Sequence, residues 1–123
     1  LQVIEEHNQQ ELLKDCNDYK CKLERAQYYI IQGDEGKAKE HIKESLELCQ
    51  TEGQRIEVED AYAKILFDIR DFQGAAQYYY SVANRWKTIG NMEKYGDAMY
   101  WSAQNYVLVS LLSGKFRSPV LFG

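Results

Sequence analysis

Residues 68–80 read DIRDFQGAAQYYY, a stretch that brings two acids, a base, a glycine and three tyrosines close together. Such a composition suits either a small active site or the joint between two helices. The joint is favoured because the Asp71 carboxylate can accept hydrogen bonds from the free N–H groups of a first helical turn. Gly74 and the alanines at 75–76 then leave room for two helices to pack closely where the chain turns back. The stretch predicts a helical joint.

The side chains around this joint are assigned to opposite faces. Ile69 and Tyr79 are predicted to face inward, and Phe72 is predicted to seal the turn. Tyr78 and Gln77 are predicted to point away from the core, and they form a candidate protein-binding surface because tyrosine is enriched at interfaces. Core filling remains the favoured explanation for most of the ten tyrosines, with an aromatic platform for a ligand or single-stranded nucleic acid as the alternative.

A second joint of the same kind occurs earlier in the chain. Residues 33–38 read GDEGKA, and placing Gly36 under Gly74 puts the two joints 38 residues apart. One helix pair per unit at such a spacing is typical of α-solenoids. The sequence therefore predicts a solenoid of antiparallel helix pairs, similar to tetratricopeptide repeats.

The hydrophobic pattern is helical along almost the whole chain, and no segment alternates with the period of a strand. A weak first helix is predicted over residues 3–16, and five stronger ones follow. Their predicted inward stripes are Tyr19, Leu23, Ala26 and Ile30; Ala38, Ile42, Leu46 and Cys49; Val58, Ala61, Tyr62, Ile65, Leu66 and Ile69; Ala75, Ala76, Tyr79, Ala83 and Trp86; and Tyr95, Ala98, Met99, Ala103, Tyr106 and Ser110. The predicted fold class is all-α.

Length and composition indicate one helical-repeat domain over residues 1–123. The chain is 45% apolar and 28% charged, as in globular proteins, and no linker-like segment interrupts it. It begins at Leu1 and ends in the apolar run at 120–122, so both ends are predicted to be cut from a longer protein.

Charge and cysteine content narrow the class of function. The net charge of −4 disfavours nucleic-acid binding, which usually requires a basic face. Three cysteines match no disulfide framework, so a reducing compartment is predicted. Their spacing does not pair them into a four-ligand zinc site, and no metal or other cofactor is expected.

No constellation of catalytic residues emerges from the sequence. Glu57, Glu59 and Asp60 are interpreted as acids that favour a helix N-terminus, since a general acid–base pair would need two carboxyls converging in a cleft. The glycine spacing at residues 33–37 does not fit a phosphate-binding loop. With two histidines, both on polar stretches, no nucleophilic triad can be assembled. The protein is predicted not to be an enzyme.

The order of residues also resembles a known family. It is similar to the helical-repeat region of PCI-type scaffold subunits, most closely the subunit 4 family of the COP9 signalosome, and next the related subunit of the proteasome lid. The stretches that carry the resemblance are NDYK at 17–20, AKEHIKESLEL at 38–48, YAKIL at 62–66, DFQGAAQYY at 71–79 and AMYWSAQNYVLVSLLSGKFRSPVLF at 98–122. Pro119 departs from the Arg-Ser-x-x-Leu element of that family, which here begins at Arg117.

The resemblance implies a non-catalytic scaffold that works by protein–protein contact. The winged-helix part of the PCI domain would follow the last residue, and the deneddylating metalloprotease site would lie on another subunit. The implied partners are other protein subunits, with no nucleic acid, membrane or small-molecule substrate, and the implied location is the cytoplasm and nucleus. Arg117 joins Tyr78 and Gln77 as a candidate contact residue. The alternative is a tetratricopeptide-like adaptor that binds a peptide in its concave groove.

Overall fold

Helices account for nearly all of the computed structural model, which describes residues 15–114. Five helices follow one another: α1 Tyr19–Ile31, α2 Glu35–Leu48, α3 Glu52–Asp68, α4 Phe72–Thr88 and α5 Met92–Leu112. No strand occurs in this part of the chain, which confirms the all-α class. The helix predicted at 3–16 and the element at 117–121 lie outside the described residues, except that Asp15 and Cys16 are described and not helical. None of the five helices is long and apolar enough to cross a membrane.

The chain divides into two compact units, Leu1–Cys49 and Gln50–Gly123. In the first unit α1 packs on α2, and in the second unit α4 packs on both α3 and α5. The organisation as a single domain stays a prediction.

All five helices start at a short polar side chain that accepts a hydrogen bond from the backbone N–H three residues later. In the three starts that also follow a left-handed residue, this bond is 3.0–3.1 Å long. These bonds satisfy donors that have no partner within the helix. The capping residues of these three starts are Asp34, Asp71 and Asn91. The predicted capping role of Asp71 is thereby confirmed.

The residue before each of these caps has a left-handed backbone conformation. Gly33 and Gly90 have φ of 87° and 83°, values that glycine adopts without steric cost. The third such residue is Arg70, with φ of 69°. This position favours glycine, because in the left-handed conformation the Cβ atom of any other residue crowds the following carbonyl oxygen. Arg70 therefore adopts this conformation at a steric cost.

The caps correct the predicted register between the two joints. Asp34 and Asp71 are 37 residues apart, so the alignment at 38 residues is wrong by one position. The corrected register pairs Ile42 with Tyr79, both of which are buried, in place of Tyr80, which is 49% exposed. The N–H of Gly74 donates to its cap, whereas at the first joint the donor is Lys37 and not Gly36. Aligning the two glycines therefore gives the wrong register.

Small side chains allow close helix packing in both units. Ala26 and Ala38 are fully buried in the first unit, and Ser45 donates its hydroxyl to the carbonyl of Tyr19 at 2.7 Å. In the second unit Ala76 is fully buried and its carbonyl accepts from Ser102 at 2.9 Å. The predicted role of small residues in close packing at the joint between α3 and α4 is confirmed.

The inward stripe of α5 differs from the prediction in its second half. Ala98 is buried as predicted, but Ser102 and Asn105 are buried in place of Ala103 and Tyr106. Both side chains donate to backbone carbonyls, which offsets the cost of burying them. Among the described residues Asn105 Oδ1 is buried without a hydrogen-bond partner, so Asn105 is only partly satisfied. Hydrophobic periodicity cannot detect such residues.

Two further predictions concern the joint between α3 and α4, and they have opposite outcomes. Phe72 packs edge-on against Phe67 across the turn, with ring centroids 5.6 Å apart, as expected for a residue that seals it. Ile69 was predicted to face inward and is 40% exposed, because it belongs to the turn that ends α3.

Two cysteines pair in a way that the sequence analysis did not predict. Cys16 and Cys21 form a disulfide, with Cα atoms 5.5 Å apart. The Asp18 cap brings the preceding segment back over the first turn of α1, within the range that a disulfide can bridge. The odd number of cysteines, taken as matching no disulfide framework, therefore did not indicate this pair.

The left-handed conformation of Arg70 predicts that Arg70→Gly stabilises the second unit. Relief of the steric cost should exceed the extra chain entropy of glycine in the unfolded state, for a net gain of about 0.5–1 kcal/mol. Urea unfolding should show a higher midpoint with an unchanged slope. Gly90→Ala, at the equivalent position, should lose about 1 kcal/mol; a loss in both variants would contradict this account.

Candidate protein-interaction groove

A groove of about 490 Å³ lies in the second unit, with α3 and α5 as its walls and α4 as its floor. We call it the tryptophan groove, because it contains both tryptophans of the chain. Its lining residues are Ile56, Glu57, Asp60, Lys64 and Phe67 from α3; Tyr79, Val82 and Trp86 from α4; and Lys94, Asp97, Ala98 and Trp101 from α5. A volume of this size is typical of binding sites.

Both walls of the groove contribute an aspartate. They are Asp60 on α3 and Asp97 on α5. Each aspartate is one helical turn from the next groove residue of its wall, so the helical period places these side chains on one face. Both walls therefore carry a carboxylate toward the groove.

Some aromatic side chains of the groove are open to solvent. Trp101 is 50% exposed, and its ring lies 6.4 Å from that of buried Tyr79 at an interplanar angle of 32°. Trp86, two turns further along α4, packs partly buried against the core cluster that contains Val82 and Ala98. Exposed aromatic surface in a concave site is characteristic of protein-binding regions.

The charges of the groove include one ion pair within a wall. Lys64 Nζ lies 2.9 Å from Asp60 Oδ2, and both side chains are more than one-third exposed, so the pair adds little stability. Burial, together with the charges of Asp60 and Asp68, raises the pKa of Tyr79. The floor of the groove therefore carries a neutral phenol close to negative charge.

A separate charged layer joins α3 to α4. Glu59 is only 5% exposed; its carboxylate accepts from Arg85 Nε at 2.5 Å and from the Ser81 hydroxyl at 2.8 Å. Arg85 also donates to Glu52, which accepts from Arg55 at 2.7 Å. The interpretation of Glu59 as an acid serving only the helix N-terminus is thus incomplete, because its main partners lie on the next helix.

The pKa values in this layer follow from its hydrogen bonds. Partial burial alone would raise the pKa of Glu52, but the hydrogen bonds from Arg55 and Arg85 outweigh it and lower that pKa. For Arg85, burial opposes the charged form, and the bonds to Glu59 and Glu52 raise its pKa nonetheless. Hydrogen bonding within the layer therefore favours the charged forms of Glu52 and Arg85.

The buried position of Glu59 predicts a large effect of removing its partner. Arg85→Met should destabilise the protein by about 3–5 kcal/mol, because a buried carboxylate loses its counter-charge. Lys64→Met, which breaks the exposed pair with Asp60, should cost less than about 1 kcal/mol. Chemical denaturation of both variants provides the comparison, and equal losses would contradict the assignment. Adding Glu59→Leu to Arg85→Met should recover most of the loss.

The lowered pKa of Glu52 predicts an acid-dependent loss of stability. Since the pKa in the folded state lies below the ordinary value of 4.5, the contribution of Glu52 is complete above that value. It disappears as the pH falls through the folded-state pKa. The free energy of unfolding of Glu52→Gln should therefore fall less steeply below about pH 4.5 than that of the unaltered protein. Parallel curves would refute the coupling.

The predicted site residues are placed differently by the structure. Gln77 is exposed as expected, whereas Tyr78 is half-buried and packs edge-on against buried Tyr62, with ring centroids 5.0 Å apart. Burial, with a contribution from the charge of Glu59, raises the pKa of Tyr78. Tyr78 does not point outward because α4 is covered on two sides, and Tyr80 is the exposed tyrosine of this run. Arg117 lies outside the described residues.

The tryptophan groove itself was not predicted from the sequence. Trp101 follows the buried Ala98 by three residues, and Asp97 and Lys94 precede it at intervals of about one turn. This spacing signals a single helix face that mixes charge with a large aromatic residue. Purely apolar stripes do not reveal this face, because it also carries charged residues.

The described residues contain no group of three or more histidine, cysteine, aspartate or glutamate side chains that would hold a metal ion. No protein-family model matches the chain. The searches of curated proteins and of solved structures also give no match. The resemblance to PCI-type subunits therefore stays a prediction based on the residues that carry it.

Proposed function

We propose that this chain is a non-catalytic interaction module, an α-solenoid of antiparallel helix pairs that serves as scaffold in a PCI-type complex similar to the COP9 signalosome. In that setting it would contribute to the regulation of cullin–RING ligase deneddylation, in the cytoplasm and nucleus, through contacts with other protein subunits. The reducing conditions of those compartments would oppose the Cys16–Cys21 disulfide.

The observation that carries the proposal is the tryptophan groove. It combines open aromatic rings with a charged border, which is the composition of a protein-binding surface. Trp101, half exposed beside Tyr79, has the character of an interface anchor. We infer that a segment of a neighbouring subunit occupies this groove.

The contacts of α3 with α4 support the arrangement in antiparallel pairs. The end of α3 meets the start of α4 at Phe67 and Phe72, while Glu59, nearer the start of α3, pairs with Arg85 near the end of α4. The 37-residue spacing between the caps Asp34 and Asp71 is longer than the tetratricopeptide period of about 34 residues. A tetratricopeptide-like adaptor remains the second candidate, favoured by the peptide-sized groove.

Affinity purification of the tagged full chain from its own cells tests this proposal. Mass spectrometry should identify further PCI-type subunits in stoichiometric amounts, and Trp101→Ala should weaken their recovery. Tyr106→Ala is the matched control, because Tyr106 is similarly exposed on α5 but does not line the groove. Recovery of the chain alone, with both variants behaving alike, would overturn the scaffold proposal.

A further inference from the structure

The charges of the tryptophan groove are arranged to attract a cation. Asp60 and Asp97 bring a carboxylate from each wall, and Glu57 adds a third acid to the lining. Lys64, one of the two lysines of the lining, is held by Asp60 within the same wall. The lining has one more acid than base, so its charge favours a basic occupant over an acidic one.

The aromatic rings act in the same direction. The face of a tryptophan or tyrosine ring carries partial negative charge and attracts ammonium and guanidinium groups. Trp101 is open to solvent over half of its surface beside Tyr79, and it follows Asp97 by one helical turn on the same wall. A cationic side chain in the groove can therefore contact an aromatic ring and a carboxylate together.

The indole N–H groups offer further contacts. Within residues 15–114, neither Trp86 nor Trp101 has a hydrogen-bond partner for this group. Each indole can therefore donate to a carbonyl of a bound backbone without breaking an existing bond. This suits a peptide better than a small cation.

The length of the groove sets the size of the segment. Tyr79 and Trp86 are seven residues apart on α4, about 10 Å along the helix axis. In an extended peptide, residues four apart lie on the same side at a distance of about 13 Å. Two apolar side chains at that spacing can reach the aromatic groups at either end of the groove, with a residue between them near the aspartates.

We propose, resting on the proposed function, that the tryptophan groove binds an extended peptide segment with a lysine or arginine midway between two apolar residues. The basic side chain lies between Asp60 and Asp97 and contacts the ring of Trp101. The apolar residues pack on Trp86 at one end and on Tyr79 and Phe67 at the other. The segment belongs to a protein partner, and the groove selects it by charge.

Tryptophan fluorescence of the full chain provides the test, since both tryptophans line the groove. The probes are blocked peptides of sequence Ser-Leu-Ser-Arg-Ser-Leu-Ser, the versions with Gln or Glu in place of Arg, and the same three with Phe in place of Leu. We expect saturable changes in tryptophan emission. In at least one of the two series, Leu or Phe, the Arg peptide should bind at least tenfold more tightly than the matching Glu peptide. The Gln version should lie between them, and added salt should narrow the differences.

Two charge-matched variants locate the effect. Asp97→Asn should reduce the preference for Arg over Gln about fivefold, whereas Glu93→Gln, an exposed acid of α5 outside the groove, should leave it unchanged. Circular dichroism establishes that both variants are folded. Equal binding of all peptides, preference for Glu, or no emission change with any peptide would overturn this inference. The copurification described above would still decide the scaffold proposal independently.

Discussion

The hydrogen bond from the Gly74 N–H to the Asp71 carboxylate fixes the geometry on which the second unit depends. Together with the left-handed residue before it, this cap determines where α3 ends and α4 begins. Asn91 does the same between α4 and α5. Because the joints are tightly defined, α3 and α5 both contribute residues to one groove.

The second unit also shows how polar groups specify a helical core. Ser102 and Glu59 are buried with partners on a neighbouring helix, and each bond is satisfied only in one register of the two helices. Apolar contacts alone tolerate sliding of one helix along another. Buried alanines let the helices pack closely, and these hydrogen bonds fix the orientation of the helices. The bonds therefore hold the walls of the groove at a set distance.

Much of the fold could be predicted from the sequence, whereas the site could not. Caps such as Asp34 and Asp71 and stripes such as Leu23, Ala26 and Ile30 depend on local chemistry, which the sequence displays directly. The orientation of Tyr78 and the burial of Asn105 depend on which faces of a helix its neighbours cover. That information resides in the packing of α4 between α3 and α5, and so the tryptophan groove became visible only in the structure.

The disulfide of the first unit has a consequence for how that unit responds to solvent. With Cys16 and Cys21 joined, Cys49 is the one remaining thiol of the chain, and it is only 5% exposed at the end of α2. An alkylating reagent can reach this sulfur only when the end of α2 opens. The rate at which Cys49 is modified therefore measures how often the end of α2 opens. This reports on a part of the molecule that contains no tryptophan.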